Sequence, residues 1–367
     1  MPANWVLDRT VDRVERLCAS PLDERSLRAE ILLGLKRAIG FDYYVWLLTD
    51  PVTAVGCAPL ADVPCLPELP ELIRLKYLTR TNRWTSLLGR GQVGLFSAST
   101  GSASGGRWGE FLRRHNVAAI ASTVFGDRLG CWGFLDLWRC DGRVFDGSDA
   151  QVLAAVSKSV TTALRRRQGE MFTLAKTVTA PVAGPAVLVI GDDLRITART
   201  AAATEWLRSL LPTPARSAPI PAAALNVAAQ LLAVEAGVDS HPAAARSFVP
   251  GHTWLTLRAS RMDSTDSALS NDGRTIAVSI EETPTADRVD LFARCHALSA
   301  RERQLLELVA RNADTPEMAG SMSITEYTVQ DHLKSIFGKT GLSSRSALIT
   351  TALGSSALGG GTTDEHR

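Results

Sequence analysis

The residues whose types could do chemistry in this sequence are hydrogen-bonding side chains near its C-terminus. Gln330 and Lys334 are four residues apart, a spacing that puts two side chains on the same face of a helix. A Gln amide can bond N6 and N7 of adenine, and a Lys ammonium can bond O6 and N7 of guanine. Asp331 can accept only from cytosine N4, and without an obvious partner it should repel mismatched sites. On a helix that lies in a major groove, side chains of these types would read base edges.

Neighbouring polar residues extend this candidate DNA-binding set. Hydroxyl and basic groups near helix ends, such as those of Thr325 and Lys339, can reach phosphates and orient a protein on a duplex. Because such contacts do not depend on sequence, Lys339 is expected to strengthen binding to every site alike. The full predicted set is Thr315, Thr325, Tyr327, Thr328, Gln330, Asp331, His332, Lys334, Ser335, Lys339 and Arg345.

The remaining sequence offers no catalytic or metal-binding pattern. Its six His include no pair at metal-ligand spacing, and its six Cys form no CxxC motif, which suits a reducing cytosol. Residues 187–193, VLVIGDD, look like the start of a phosphoreceiver, but no Lys lies between Lys176 and Lys334 to serve one. We therefore expect no enzyme activity, no cofactor and no metal.

The candidate residues must be positioned by helices, and the caps of these helices can be read locally. Ser299 and Glu302 form a capping box that starts a first helix, which ends at Asn312. Thr315-Pro316 should start a second helix, with Thr315 as its N-cap. Ser323 makes a turn, and Thr325 caps a third helix that is predicted to end near residue 338. Val329, Leu333 and Ile336 give this helix one apolar side, opposite the polar residues.

These helices resemble the LuxR/NarL-type helix-turn-helix. The matched positions are Leu298, Arg301, Glu302, Arg303, Glu317, Ala319, Ile324, Thr328, Val329, His332, Leu333, Ile336, Lys339, Gly341 and Arg345. The sequence departs from the family at Asn312, where Gly is usual, and at Gln330, where a basic residue is usual. The resemblance implies a four-helix DNA-binding domain over 295–354, double-stranded DNA as partner, and a homodimer. It also implies a dimer contact through the fourth helix, at Leu348, Ile349 and Ala352.

The first 170 residues predict an α+β domain with an antiparallel sheet and one face covered by helices. Helices are expected over 5–20 and 26–39, strands over 41–48 and 52–57, and a strand hairpin over 118–138. This order resembles a GAF domain, a small-molecule sensor. Five aromatic residues could line an apolar pocket for an effector, or could be ordinary core residues: Trp46, Trp84, Trp132, Phe134 and Trp138.

The middle of the chain is predicted to hold a linker at 171–185 and a domain at 186–290 that resembles a degenerate PAS domain in element order. Polar stretches at 97–106 and 263–273 read as loops, and 355–367 as a disordered tail. No apolar run approaches membrane-spanning length, so the sequence predicts a cytoplasmic protein of two or three domains.

The balance of charged residues in the C-terminal region is compatible with a function other than DNA binding. The chain has a formal net charge of +2, and residues 298–353 balance their basic and acidic side chains. Because DNA affinity depends on phosphate neutralisation, a single domain should bind weakly and need dimerisation. The same balance is compatible with a module that docks on RNA polymerase or a sigma-like partner, with DNA contact secondary. A sensor-regulated enzyme is a further alternative, which the absence of catalytic motifs disfavours.

Overall fold

A computed structural model describes residues 4–88, 93–98, 106–140, 142–174, 184–210, 221–249, 253–262 and 275–354. The central part of the predicted linker (175–183), most of the two predicted loops (99–105 and 263–273) and the tail (355–367) lie outside the described residues. The chain forms two compact units. The first comprises Met1–Leu164, Val182–Ser247 and Thr256–Glu281, and the second comprises Arg165–Pro181, Phe248–Leu255 and Glu282–Arg367.

The first unit contains a five-stranded antiparallel sheet with strand order β2-β1-β5-β4-β3. Its strands are β1 (Tyr43–Thr49), β2 (Gly56–Asp62), β3 (Val93–Ser97), β4 (Ala119–Asp127) and β5 (Gly130–Arg139). The helices of this part of the chain are α1 (Asn4–Ala19), α2 (Glu24–Ala38), α3 (Leu69–Leu78), α4 (Trp84–Leu87), α5 (Gly106–Arg114) and α6 (Gly147–Leu174). The predicted α+β class is confirmed.

Both faces of this sheet carry helices, whereas the sequence predicted helices on one face. Ser157 of α6 lies on one face, with its Oγ 3.5 Å from Thr123 Oγ1. On the other face, the ring of Trp84 in α4 stacks on Phe134 of β5, with 4.8 Å between centroids. Helices α3 and α5 lie on this second face as well, since Lys76 of α3 contacts Asp136 and Trp108 of α5 contacts Trp138. Which face a helix covers depends on contacts between distant residues, which local periodicity does not show.

The second strand lies later in the chain than predicted. The expected strand at 52–57 is replaced by a turn, since the Asp50 carboxylate accepts hydrogen bonds from the backbone N–H of Val52 (2.8 Å) and Thr53 (3.2 Å). An Asp side chain that caps its own turn in this way competes with strand pairing. Strand β2 therefore begins only at Gly56.

A second five-stranded sheet has the order β7-β6-β10-β9-β8. Its elements are β6 (Ala186–Ile190), β7 (Ile196–Arg199), α7 (Ala201–Ser209), α8 (Ala222–Glu235), β8 (Ala244–Phe248), β9 (Trp254–Arg261) and β10 (Ile276–Glu282). Helix α8 is apolar around most of its circumference and packs against α3 and β2, where Asn226 Nδ2 donates to the Gly56 carbonyl at 2.9 Å. Residues Val182–Ser247 and Thr256–Glu281, which hold most of the second sheet, belong to the same compact unit as the first sheet.

The second unit carries five helices after the second sheet: α9 (Thr285–Cys295), α10 (Ala300–Ala310), α11 (Thr315–Met322), α12 (Glu326–Thr340) and α13 (Arg345–Leu353). Helix α9 was not predicted. Its Phe292 packs edge-to-face on Phe172 of α6, and Phe172 also contacts Trp254. Within the described ranges, no helix combines the length and apolar character needed to cross a membrane.

Candidate DNA-binding surface

The helix ends of the C-terminal domain form largely as the local sequence predicts. Ser299 and Glu302 make both bonds of a capping box at the start of α10. Asn312 and Ser323 adopt left-handed backbone conformations, with φ of 58° and 53°, where α10 and α11 end. The Thr325 side chain accepts from the backbone N–H of Thr328 and caps α12. These caps set the directions of α11 and α12.

The N-cap of α11 is Asp314, which corrects the prediction of Thr315. The Asp314 carboxylate accepts a hydrogen bond from the Glu317 backbone N–H at 2.8 Å. The Glu317 carboxylate in turn accepts one from the Asp314 backbone N–H, also at 2.8 Å. This second capping box places Thr315 and Pro316 in the first helical turn, where a proline needs no amide. Thr315 is half-buried there and belongs to the helix body.

Helix α12 has one buried side and one exposed side. Val329, Leu333 and Ile336 are buried as predicted. On the opposite side, Tyr327 is 74% exposed and Gln330 is exposed. A large aromatic side chain left in solvent at a helix start is available to a partner surface. The exposed side also carries Asp331 and Lys334, and the Thr325 and Thr328 hydroxyls lie 2.9 Å apart at its N-terminal end.

Asp331 has a partner, contrary to the prediction. Lys334 Nζ lies 3.7 Å from Asp331 Oδ1, one helical turn away on the exposed side of α12. Three-residue spacing brings such a pair together on any helix surface, so the interaction is local and weak. The Asp331 carboxylate therefore lies beside the Lys334 ammonium and partly neutralises it.

Two other predicted DNA contacts hold the domain together. Glu302 is buried, and its Oε1 accepts from Ser335 Oγ at 2.6 Å. Lys339 Nζ bonds both oxygens of Glu302, at 2.8 and 2.6 Å. Burial alone would raise the pKa of Glu302, but the hydrogen bonds from Lys339, Ser335 and Ser299 outweigh it and hold that pKa at about 2. Ser335 and Lys339 thus fix α12 to α10, and Lys339 remains 38% exposed.

The fourth helix offers less surface for a dimer than the sequence predicts. Leu348 and Ala352 are buried in the domain's own core, so Ile349 is the one of the three predicted dimer residues that has exposed surface. Ile349 is half-buried and lines a cleft of about 400 Å³ with Asn312, Ala313, Asp314, Arg345 and Ser346. The Arg345 guanidinium donates to the Ala313 carbonyl and joins the start of α13 to the turn before α11. His332, the last of the predicted set, is half-buried on α12.

The five predicted pocket aromatics do not share a face. Trp46 pairs with Leu135 in the β1–β5 register, whereas Leu47 pairs with Phe134. Paired residues point to the same side of a sheet and successive residues alternate, so Trp46 lies opposite Phe134. Phe134 and Trp138 lie on one face, with Trp84 stacked on Phe134, whereas Trp132 lies where the β4–β5 register shifts. All five side chains are buried, and the pocket prediction is corrected for Trp46.

Sequence reasoning missed Asp314 as the N-cap of α11, and it found Glu302 only as part of a capping box. Glu302 and Asp314 each belong to a capping pattern of the form Asp/Ser-x-x-Glu, which the local sequence can reveal. The contact of Glu302 with Ser335 and Lys339 of α12 has no local sequence signal. Among the residues the structure describes, no group of three or more His, Cys, Asp or Glu is placed to hold a metal ion. The arrangement is suited to recognition by side chains on a supported helix.

Comparison with known proteins identifies this arrangement. Residues 296–352 match the family described as bacterial regulatory proteins, luxR family. These residues form a LuxR-family helix-turn-helix domain. In this LuxR-type domain, α11 and α12 occupy the places of the two helices of the motif. In helix-turn-helix proteins generally, the second of these helices lies in the major groove.

A solved structure with some likeness is SdiA of Escherichia coli, at 13% sequence identity, covering 97% of this chain and 98% of that one, with a TM-score of 0.32. No inference about fold or function follows from a likeness at that level. No curated protein sequence matches the chain. The identification of the LuxR-type domain therefore rests on the family match at residues 296–352.

Proposed function

We propose that this protein is a cytoplasmic transcriptional regulator that binds promoter DNA as a homodimer through its LuxR-type domains. The observation that carries the proposal is the polar, exposed side of α12, which is held outward by the buried residues Val329, Leu333 and Ile336. In a helix-turn-helix this side faces the base edges. Gln330 would read adenine, and Tyr327 would offer apolar contact to a thymine methyl group.

Binding should be measured against a panel of operator variants with single base changes, at several salt concentrations. Gln330→Ala should cost about 1–3 kcal/mol and relax specificity at one position of the site. Gln304→Ala, on α10, is a matched control because it removes the same amide from a different helix. If Gln330→Ala weakened binding to every variant equally, the assignment of Gln330 as a base reader would be wrong.

Dimerisation is proposed to use the exposed part of α13 around Ile349. A Glu at this position would bring an unpaired charge into the contact, and removing that charge from water is costly. Ile349→Glu should therefore abolish the dimer in sedimentation and weaken operator binding, with the circular dichroism spectrum unchanged. Leu33→Glu, at an exposed apolar position on α2, is the control. A dimer that persists in Ile349→Glu would place the contact elsewhere.

The signal is proposed to enter through the first unit, as a GAF-like sensor with a PAS-like segment. A small molecule or a partner that binds one arrangement of the chain more tightly would favour the arrangement in which two LuxR-type domains span a two-fold site. Differential scanning calorimetry of the full chain with and without a candidate partner measures this preference, because selective binding raises the unfolding temperature.

A second candidate function is docking on RNA polymerase or a sigma-like partner, and the internal pairing of the domain's cations favours it. Lys339 and Lys334 have carboxylate partners within the domain, which reduces what they offer to phosphates. Gel shifts with genomic fragments at low and moderate salt distinguish the two functions. A docking module would show no sequence-selective shift but would co-purify with the polymerase.

A further inference from the structure

A lysine is buried against the aromatic face of the first sheet. Lys76, on α3, is 4% exposed, and its Nζ lies 2.9 Å from Asp136 Oδ2 and 3.3 Å from the Asn82 carbonyl oxygen. Asp136 lies within β5, is 1% exposed, and accepts a second hydrogen bond from Trp84 Nε1 at 2.8 Å. An ion pair this deep persists only where each charge keeps its partner.

Aromatic rings complete the surroundings of the ammonium. Lys76 Nζ lies 4.5 Å from the centroid of the Trp84 ring and 5.7 Å from that of Trp108. Two indole rings, a carboxylate and a carbonyl oxygen are the groups that proteins use to bind an alkylammonium ligand. Burial lowers the pKa of Lys76, and the charge of Asp136 opposes that change. The cage, defined here as Trp84, Trp108, Asp136 and the Asn82 carbonyl, is chemically matched to a cation.

We propose that this cage is an ammonium-binding site whose resident ligand is the protein's own Lys76 side chain. Trp84 belongs both to the cage and to the aromatic set predicted to bind an effector. A small molecule that entered this face would have to separate the buried ion pair and leave Asp136 without a counter-charge. Lys76 therefore closes the face from within.

What the Lys76 cage implies for signalling rests on the proposed function, in which the signal is either a small molecule or a partner. With the aromatic face of the first sheet occupied by Lys76, a small-molecule signal does not enter the first unit by this face. Lys76 then serves as a positioning residue that keeps α3 and α4 seated on the sheet without a ligand.

Ammonium rescue of the full-length protein tests the cage. Lys76→Ala should lower the unfolding temperature by roughly 10 °C, because it leaves a buried carboxylate unpaired. Propylammonium chloride at tens of millimolar should restore part of the loss, as a diffusible copy of the missing side chain. Sodium chloride at equal ionic strength and 1-propanol at equal concentration should not. Lys36→Ala is the matched control, since Lys36 Nζ lies 5.6 Å from the Phe41 ring but is exposed.

Rescue of Lys76→Ala by propanol as well as by propylammonium would overturn the proposal, because filling a cavity would then explain the effect. So would an absence of any propylammonium effect. If Lys76→Ala does not fold, Lys76→Met keeps the hydrocarbon stem without the charge. Lys76→Met must be less stable than wild type, and adding Asp136→Asn must recover part of the lost stability. A Lys76→Met protein as stable as wild type refutes the cage.

Operator binding is measured in a separate experiment, so that the cage and the proposed function can fail independently. Rescue without sequence-selective DNA binding would leave the cage standing and remove the proposed function. Sequence-selective DNA binding without propylammonium rescue would support the proposed function and refute the cage.

Discussion

Replacing Glu302 by Gln tests whether one buried carboxylate sets the geometry of the LuxR-type domain. The change keeps the size of the side chain but removes its charge, which now faces Lys339 and Ser335 from α12 and the backbone N–H of Ser299. A Gln amide can accept at one oxygen only, so the ammonium of Lys339 loses its counter-charge. We expect α12 to be held less tightly against α10.

The magnitude follows from the pKa of Glu302, which is about 2 in the folded protein against an ordinary value of 4.5. A difference of about 2.5 pKa units corresponds to about 3 kcal/mol of stability at pH 7. Lys339 is 38% exposed, and screening by solvent reduces the figure to about 2 kcal/mol. Because the folded pKa is lowered, this stability is present above about pH 4.5 and is lost as the pH falls towards 2.

Amide hydrogen exchange of the full chain, followed by mass spectrometry at pH 7, measures the effect locally. Peptides of α10 and α12 should exchange roughly 30-fold faster in Glu302→Gln, which is about 2 kcal/mol of local opening. Glu317→Gln is the control, since Glu317 also accepts within a capping box but is exposed. Equal exchange changes in the two variants would show that only capping is lost, and would refute the role assigned to Lys339.

Three further outcomes are expected. Asp331→Ala should free Lys334, raise non-specific DNA affinity and steepen its salt dependence by up to one counterion; an unchanged slope would mean that the pair does not compete with phosphate. Burial raises the pKa of the Cys57 thiol to about 12, so thiol reagents at pH 8 should modify Cys57 only after unfolding, as peptide mass spectrometry would detect. Asp50→Asn should lower the free energy of unfolding by about 3–5 kcal/mol, because the buried Arg246 guanidinium loses a partner at 2.6 Å; a loss under 1 kcal/mol in chemical denaturation would contradict this.

The parts of the LuxR-type domain that the sequence predicted depend on contacts three or four residues apart. The Ser299 cap, the left-handed Asn312 and the Thr325 cap each involve one helix turn and its immediate neighbours. Such interactions are encoded locally and can be read without knowing the fold. Misplacing the α11 cap by one residue occurred because Asp314 and Thr315 are both good N-caps, and only the bond to Glu317 distinguishes them.

The parts that could not be predicted depend on pairing between distant residues. Glu302 and Lys339 are 37 positions apart, and Lys339 looked like a phosphate contact because its partner was on another helix. Which face Trp46 occupies depends on its register with Leu135, which alternation within one strand does not reveal. Lys76 and Asp136 are likewise far apart in the sequence and meet only in the folded structure.

The internal pairing of cations bears directly on how the protein binds DNA. Within residues 298–353, five basic side chains contact acceptors of the chain itself: Arg301 with Gln304, Arg303 with Asp290, Lys334 with Asp331, Lys339 with Glu302, and Arg345 with the Ala313 carbonyl. Each such contact lessens the gain from releasing counterions at a phosphate. One domain alone should then bind DNA weakly. Joining two domains makes the second binding event intramolecular and multiplies the modest affinity of each. In the proposed homodimer, a signal would therefore change DNA affinity most strongly by controlling dimerisation, more than by any change in α12.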